Sequence, residues 1–176
     1  GHRLMETLDS VLNLSKLEAG EMELTPEPVS LAEEINETAE LFAPQAEEEG
    51  LALHVCTPSE PLRGRADPGG LRIVLRNLLS NALKYTDEGS VWVRATRQNG
   101  AVAVEVEDTG IGMDPEQTAA LFEAFRQESE GVAREYEGSG LGLAVTKRVV
   151  DQMNGSIDVE TEKGDGTRFT VQLPRA

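Results

Sequence analysis

Apolar and polar positions along the chain follow two periods, and their alternation sets out the elements. Over 3–19, Leu4, Leu8, Val11, Leu12 and Ser15 recur at helical spacing on one narrow, seam-like stripe, with Gly20 as a C-terminal cap. Residues 21–29 alternate but contain Pro26 and Pro28, which suits an edge strand or a linker. Ser30 with Glu33 forms a capping box for a helix that carries Leu31, Ile35, Ala39, Leu41 and Phe42, and Gly50 follows its end. A strand is expected at 51–56. The turn-rich stretch 58–70 holds a short strand near 63–66. The clearest helix runs over about 69–85, with Leu71, Val74, Leu75, Leu78, Leu79 and Ala82 inward.

Two strands follow, 90–97 and 102–107, joined by Asn99-Gly100, a strong hairpin signal. A long stretch rich in Gly, Glu and Ser, about 109–139, contains a short helix. A helix over 141–153 ends near Asn154-Gly155, and strands 156–161 and 167–173 close the chain around Gly164-Asp165-Gly166. Helices separated by antiparallel hairpins predict an α+β fold: a two-layer α/β sandwich, its mixed, mostly antiparallel sheet carrying helices on one face, preceded by one long N-terminal helix. A doubly wound parallel sheet needs strict βαβ alternation, which the pattern lacks. There is no internal repeat.

Composition narrows the function. The 176 residues suffice for one domain with a real core. Asp+Glu number 32 against 16 Lys+Arg, a formal net charge of −16. Such a surface repels phosphate backbones and anionic lipid, so neither nucleic acid nor direct membrane contact is expected. Any nucleotide must be held by local donors and a metal. One cysteine, Cys56, excludes an intrachain disulfide, fits a cytoplasmic location, and reads as a core or half-buried strand residue. No stretch approaches the roughly 18 apolar residues of a membrane span. The chain starts inside a helical pattern, at Gly1-His2-Arg3-Leu4, so it is expected to be a piece of a longer protein.

Three clusters carry chemistry. Asn77, Asn81, Lys84 and Tyr85 share one face of the helix over 69–85, offering two amides, an ammonium and a phenol. Alone, this is equally a solvated polar face. Asp108-Thr109-Gly110-Ile111-Gly112-Met113 follows a strand; its glycines permit close backbone approach and its carboxylate can accept from an exocyclic amine. Alone, it is weak evidence and reads as a plain turn. Gly138-Ser139-Gly140-Leu141-Gly142-Leu143 opens a helix, whose free N–H groups suit phosphates. It lacks P-loop and GxGxxG spacing, and alone it is equally a flexible cap.

In this order and spacing the three resemble the N, G1 and G2 boxes of the GHKL (Bergerat-fold) ATPase superfamily. Leu121-Phe122-Glu123-Ala124-Phe125-Arg126-Gln127 resembles the F box of the histidine kinases of two-component systems. The segment 12–20 looks like the end of the second helix of the dimerisation and phosphoacceptor domain. The resemblance covers nearly the whole chain and implies two units: 1–20 from that domain, and 21–176 as the catalytic ATP-binding domain, with an ATP lid at about 113–139.

The resemblance implies roles for individual residues. Asn81 gives its amide oxygen to Mg²⁺, which bridges the phosphates of ATP or ADP, and Asn77 assists one turn earlier. Lys84 pairs with phosphate, and Tyr85, next to Ala82 and Lys84 in the N box, lies along the adenine. Asp108 accepts from the adenine amino group, directly and through a water shared with Thr170, while Gly110 and Gly112 leave room for the base and Met113 begins the lid. Phe122 and Phe125 anchor the lid; Arg126 or Arg134 reaches the phosphates. Gly138, Ser139, Gly140, Leu141, Gly142 and Leu143 bring main-chain donors to the phosphates.

Superfamily members that hydrolyse ATP carry a glutamate at the position of Asn77, and an amide cannot serve as a general base at neutral pH. Transfer of the γ-phosphoryl to an outside nucleophile is therefore expected, by positioning and charge neutralisation. In the family that nucleophile is a histidine followed by an acid. His2 and His54 lack that context, and His54 reads as an ordinary half-exposed strand residue. The resemblance implies as partners the protein's own phosphoacceptor domain, a response-regulator receiver domain and, in the full protein, a second copy. Three other readings are a degenerate nucleotide binder, a serine kinase of the anti-sigma-factor type, and a purely structural dimerisation module. Nucleotide affinity, transfer to serine and sedimentation separate them.

Overall fold

The computed structural model describes Leu12, Asn13, Ser15, Lys16, Gly20, residues 22–114, Glu116 and residues 140–176. Leu12, Asn13, Ser15 and Lys16 are helical, as expected; the remainder of the anticipated N-terminal helix lies outside the described residues. In chain order the elements are β1 (Glu27–Ser30), α1 (Leu31–Glu48), β2 (Ala52–Cys56), β3 (Arg63–Ala66), α2 (Pro68–Lys84), β4 (Ser90–Gln98), β5 (Ala101–Asp108), α3 (Gly140–Gln152), β6 (Ser156–Glu162) and β7 (Gly166–Pro174).

Local chemistry explains where the helices start. Ser30 is extended and its side chain accepts the Glu33 N–H, so α1 begins on the expected cap. Asp67 caps α2: its carboxylate accepts from the Gly70 N–H at 2.8 Å and from the Thr25 N–H at 3.0 Å, and Pro68 takes the first helical position. Leu31, Ile35, Ala39 and Ala46 form the buried stripe of α1. Leu41 falls off that stripe and is 59% exposed. The Arg72 guanidinium grips Glu34 through two bonds, at 3.0 and 3.3 Å, and pins α1 to α2.

Five strands form one sheet in the order β2-β4-β5-β7-β6. Only β2 and β4 run parallel; the other three pairs are antiparallel. The hairpin between β4 and β5 turns at Asn99-Gly100, both at positive φ. Burial alternates along the strands: Val91, Val93, Val102, Val104, Val106, Phe169, Val171 and Leu173 face the helices. They meet Leu71, Val74, Leu75, Leu78, Leu79 and Leu83 of α2, and Leu143, Val145, Val149 and Val150 of α3. Each such buried leucine or valine contributes about 1.5–3 kcal/mol relative to exposure. This is the expected two-layer sandwich.

Two details differ from expectation. The alternating stretch 21–29 becomes a strand only at Glu27–Ser30, where β1 pairs with β3 in a separate two-stranded sheet. Cys56 is exposed rather than half-buried, because β2 is an edge strand and Cys56 lies on its outer face. His54, on that same face, stacks on Trp92 with ring centroids 5.5 Å apart, while Arg94 lies over the Trp92 ring and pairs with Glu107 at 2.6 Å. Among the described residues, no helix is long and apolar enough to cross a membrane.

Candidate functional site

The site is assembled where the end of α2, the end of β5 and the start of α3 converge. On α2, Leu71, Leu75, Leu78 and Leu79 hold the helix against the sheet, which turns Asn77, Asn81 and Lys84 toward the neighbouring elements. The Asn77 amide nitrogen donates to the Gly142 carbonyl at 3.1 Å and to the Thr146 hydroxyl at 3.3 Å. That hydroxyl itself donates to the Gly142 carbonyl at 2.7 Å. Asn81 is 6% exposed, and its amide oxygen is buried without a hydrogen-bond partner. Lys84 stands 5.9 Å from the Tyr85 ring centroid. Ala82 belongs to the core, and its carbonyl accepts from the Thr86 hydroxyl at 2.7 Å.

β5 ends at Asp108, which is 4% exposed. Burial raises its carboxyl above the ordinary aspartate range, and the main-chain N–H groups of Gly110 and Thr167 pull it part of the way back. The loop after it is clamped from two sides. Ile111 donates to the Tyr85 carbonyl at 3.0 Å, and a Cβ on Gly110 would collide with that same carbonyl. Gly164 donates to the Ile111 carbonyl at 2.7 Å, and a Cβ on Gly112 would collide with the Glu162 carbonyl. Both glycines are therefore needed for the protein's own backbone to close, which leads past the expectation that they make room for a base.

The Thr170 expectation is redirected. Thr170 pairs with Glu105 and shares the outer face of the sheet with Arg168 and Gln172, away from Asp108. The residue opposite Asp108 in the ladder is Thr167, buried on the helix-facing side. Strand alternation sends residues an odd number of positions apart to opposite faces, so a shift of three both moves and inverts the side chain. Sequence reasoning missed Thr167 and also Thr161, whose hydroxyl touches Met113, Gly166 and Thr167. The available signal was the alternation of Thr167, Phe169, Val171 and Leu173.

An open hollow of about 290 Å³ lies beside Asp108, lined also by Glu107, Glu160, Thr161, Glu162, Asp165, Gly166, Thr167 and Arg168. Its carboxylates repel phosphate, and it contains no residue of α2. Gly140 opens α3, and Gly142 and Leu143 lie in its first turn, Leu143 in the core. Phe122, Phe125, Arg126, Arg134, Gly138 and Ser139 lie outside the described residues, as does most of the expected lid. Among the described residues, no three His, Cys, Asp or Glu side chains are grouped to hold a metal. The orphaned Asn81 oxygen is instead a single hard ligand of the kind Mg²⁺ takes alongside phosphate oxygens and waters.

Comparison with known proteins identifies the family. Residues 66–176 match the family described as histidine kinase-, DNA gyrase B-, and HSP90-like ATPase. The chain is 36% identical to the sensor protein GacS of Pseudomonas syringae pv. syringae over 98% of its own length and 20% of that protein's. It thus spans about a fifth of the length of the curated relatives it matches. Full-length ShkA in complex with AMPPNP superposes with a TM-score of 0.83 at 35% identity, over 98% of this chain and 36% of that one. The nucleotide-free catalytic domain of histidine kinase ThkA superposes with a TM-score of 0.71 at 26% identity, over 88% of this chain and 97% of that one. The chain belongs to the histidine kinase-, DNA gyrase B- and HSP90-like ATPase family, and its relatives place it among the catalytic domains of sensor histidine kinases.

Proposed function

We propose that this chain binds ATP and ADP with Mg²⁺ between α2, β5 and α3, and transfers the γ-phosphoryl of ATP to a histidine outside the chain. The observation that carries the reading is the buried, unpartnered amide oxygen of Asn81. Leaving such a group unpaired costs about 1–3 kcal/mol, which a ligand restores. Asn81 would hold the metal, whose chemistry there is to neutralise phosphate charge. Lys84 would pair with phosphate, and the main-chain N–H groups at Gly140 and Gly142 would receive it at the helix start. Asp108 would accept from the adenine amine, with Tyr85 along the base. The acidic hollow beside Asp108 disfavours phosphate there and directs the chain of phosphates toward α2. The AMPPNP complex of ShkA supports the nucleotide.

Asn77 supports transfer over hydrolysis. Its nitrogen is engaged by α3, and an amide has no basicity with which to activate water. Residues 1–20 would belong to the dimerisation and phosphoacceptor domain and 21–176 to the catalytic domain. In the full protein, in the cytosol, a second copy and the receiver domain of a response regulator would be partners, the latter's aspartate receiving the phosphoryl group. Phe122, Phe125, Arg126, Gly138, Ser139 and Leu141 keep the lid and phosphate roles that the family resemblance implies.

Calorimetric titration with ADP, with and without Mg²⁺, tests the site; binding strengthened by the metal is expected, and no binding would refute the reading. Radiolabelled ATP is then offered with and without a separately supplied phosphoacceptor domain. Label is expected on that domain's histidine alone. Stable label on this chain by itself would refute the external acceptor.

A further inference from the structure

Beyond Cys56 the sheet has a row with no strand in it. β2 ends there, opposite Arg94, whereas β4 runs on to Gln98. Main-chain groups of a strand point alternately toward its two neighbours. The Gly89 carbonyl accepts from Ala52 of β2 at 3.0 Å, and the Ser90 carbonyl accepts from Thr109 on the β5 side at 3.1 Å. Odd-numbered residues of β4 therefore address the β2 row. The same count carried on from Ala52 puts the N–H of position 58 opposite the Ala95 carbonyl. That residue is Pro58, which has no N–H to give. The Ala95 carbonyl and both main-chain groups of Arg97 thus face a hollow of about 460 Å³. Leu62 and Ala95, 3% and 5% exposed, give it an apolar floor. Arg94 and Arg97 stand against the single carboxylate of Glu60 in its lining. Arg94 is engaged by Glu107, while Arg97 is exposed and has no ion-pair partner among the described residues.

We propose that this hollow binds the carboxy-terminal end of a peptide chain, an apolar last residue with its free carboxylate, as a short strand added to β4. The open row presents a carbonyl, an N–H and a second carbonyl at strand spacing, which another backbone satisfies in register. It is closed at one end by Cys56 and spans four residues, Ala95 to Gln98, or about 13 Å. A chain end fits such a slot, and a strand running through does not. The apolar floor takes the last side chain. The surplus of guanidinium over carboxylate, in a chain of net charge −16, selects a carboxylate over an amino terminus. The slot lies at the opposite end of β4 from Val91, the ladder partner of Asp108, so it is separate from the candidate nucleotide site.

The test titrates the whole chain calorimetrically with three probes: an acetylated threonine-valine-leucine tripeptide with a free carboxylate, the same tripeptide as its terminal amide, and 4-methylpentanoate. Cys56, the only cysteine, is exposed and lines the slot, so its alkylation rate reports where the probe sits. The free acid should bind about tenfold or more tightly than the amide and should slow alkylation of Cys56. In Arg97→Gln, shown to be folded by its melting curve, the acid should fall to the affinity of the amide. The 4-methylpentanoate has the carboxylate and the apolar group but no backbone, and should bind about tenfold or more weakly than the tripeptide. No binding at millimolar peptide overturns the proposal. So does equal affinity for acid and amide, or an acid affinity unmoved in Arg97→Gln. Equal affinity for tripeptide and 4-methylpentanoate overturns the added strand, and binding that leaves Cys56 unprotected overturns the location.

Discussion

The amide nitrogen of Asn77 donates to the main-chain carbonyl of Gly142 at 3.1 Å, joining α2 to the first turn of α3 across 65 positions of sequence. The bond needs a donor, so the choice of asparagine over a carboxylic acid has a structural consequence as well as a chemical one. Asn77→Asp keeps the size and removes the donor, setting a carboxylate against a carbonyl. It should lower stability by about 1–3 kcal/mol and weaken ADP binding. Urea denaturation and calorimetry measure both; a variant with unchanged stability would show that the bond contributes nothing.

Asn81 offers the opposite case, a polar atom that the folded chain leaves unserved. Asn81→Leu removes the orphaned oxygen while keeping the same number of side-chain heavy atoms. Its stability should hold or rise by up to about 1–3 kcal/mol. Mg²⁺ should no longer strengthen ADP binding in this variant. A persisting metal effect, read by titration at fixed pH with and without Mg²⁺, would remove Asn81 from the metal site.

The buried carboxyl of Asp108 should make stability and nucleotide binding move oppositely with pH. Its folded pKa is raised above the ordinary value of 3.8, chiefly by burial. Between the ordinary and the raised value, the folded state holds a proton that the unfolded state has released. The contribution of this group to stability is therefore greatest below that window and falls as pH rises through it. Asp108→Asn lacks the titration, so it should gain on the wild type in denaturation experiments as pH is raised from about 4 to 7. The same variant should bind ADP about tenfold to a hundredfold more weakly at neutral pH, since it loses a bond to a charged acceptor. A constant stability difference across that range would contradict the titration.

Two glycines separate folding from binding. Gly110→Ala puts a methyl group against the Tyr85 carbonyl and should destabilise the chain by at least about 2 kcal/mol. At Gly142 the nearest contacts of an added methyl are with the Asn77 side chain, at 3.5 Å and beyond. Gly142→Ala should leave the fold intact, or stabilise α3 by up to about 1 kcal/mol, while weakening nucleotide binding at the helix start. Melting curves set beside ADP affinities distinguish the two. Equal losses of stability would sink the distinction.

Much of the candidate site was legible because its residues lie close together in sequence. Asn77, Asn81 and Lys84 recur at helical spacing, and the helix that carries them is declared by Leu71, Leu75, Leu78 and Leu79. Asp108 was legible as the carboxylate that ends a strand. Thr167 was not, because its pairing with Asp108 depends on the register between β5 and β7, which no local pattern states. Thr161 was hidden for the same reason: its partners Met113 and Thr167 come together only when the β6–β7 hairpin folds onto the loop after β5.

By itself, the sequence determined the alternation of helix and hairpin, the cap at Ser30, the turn at Asn99-Gly100, the apolar face of α2 and the three clusters of polar and glycine residues. Those features follow from interactions among residues a few positions apart, which the periods of helix and strand express directly. Tertiary structure alone decided that Cys56 faces solvent on an edge strand, that Gly110 and Gly112 serve contact with the Tyr85 and Glu162 carbonyls, and that Thr167 rather than Thr170 stands by Asp108. Each depends on which face of a strand meets which neighbour. A one-residue change in that register inverts every side chain while leaving the local pattern the same.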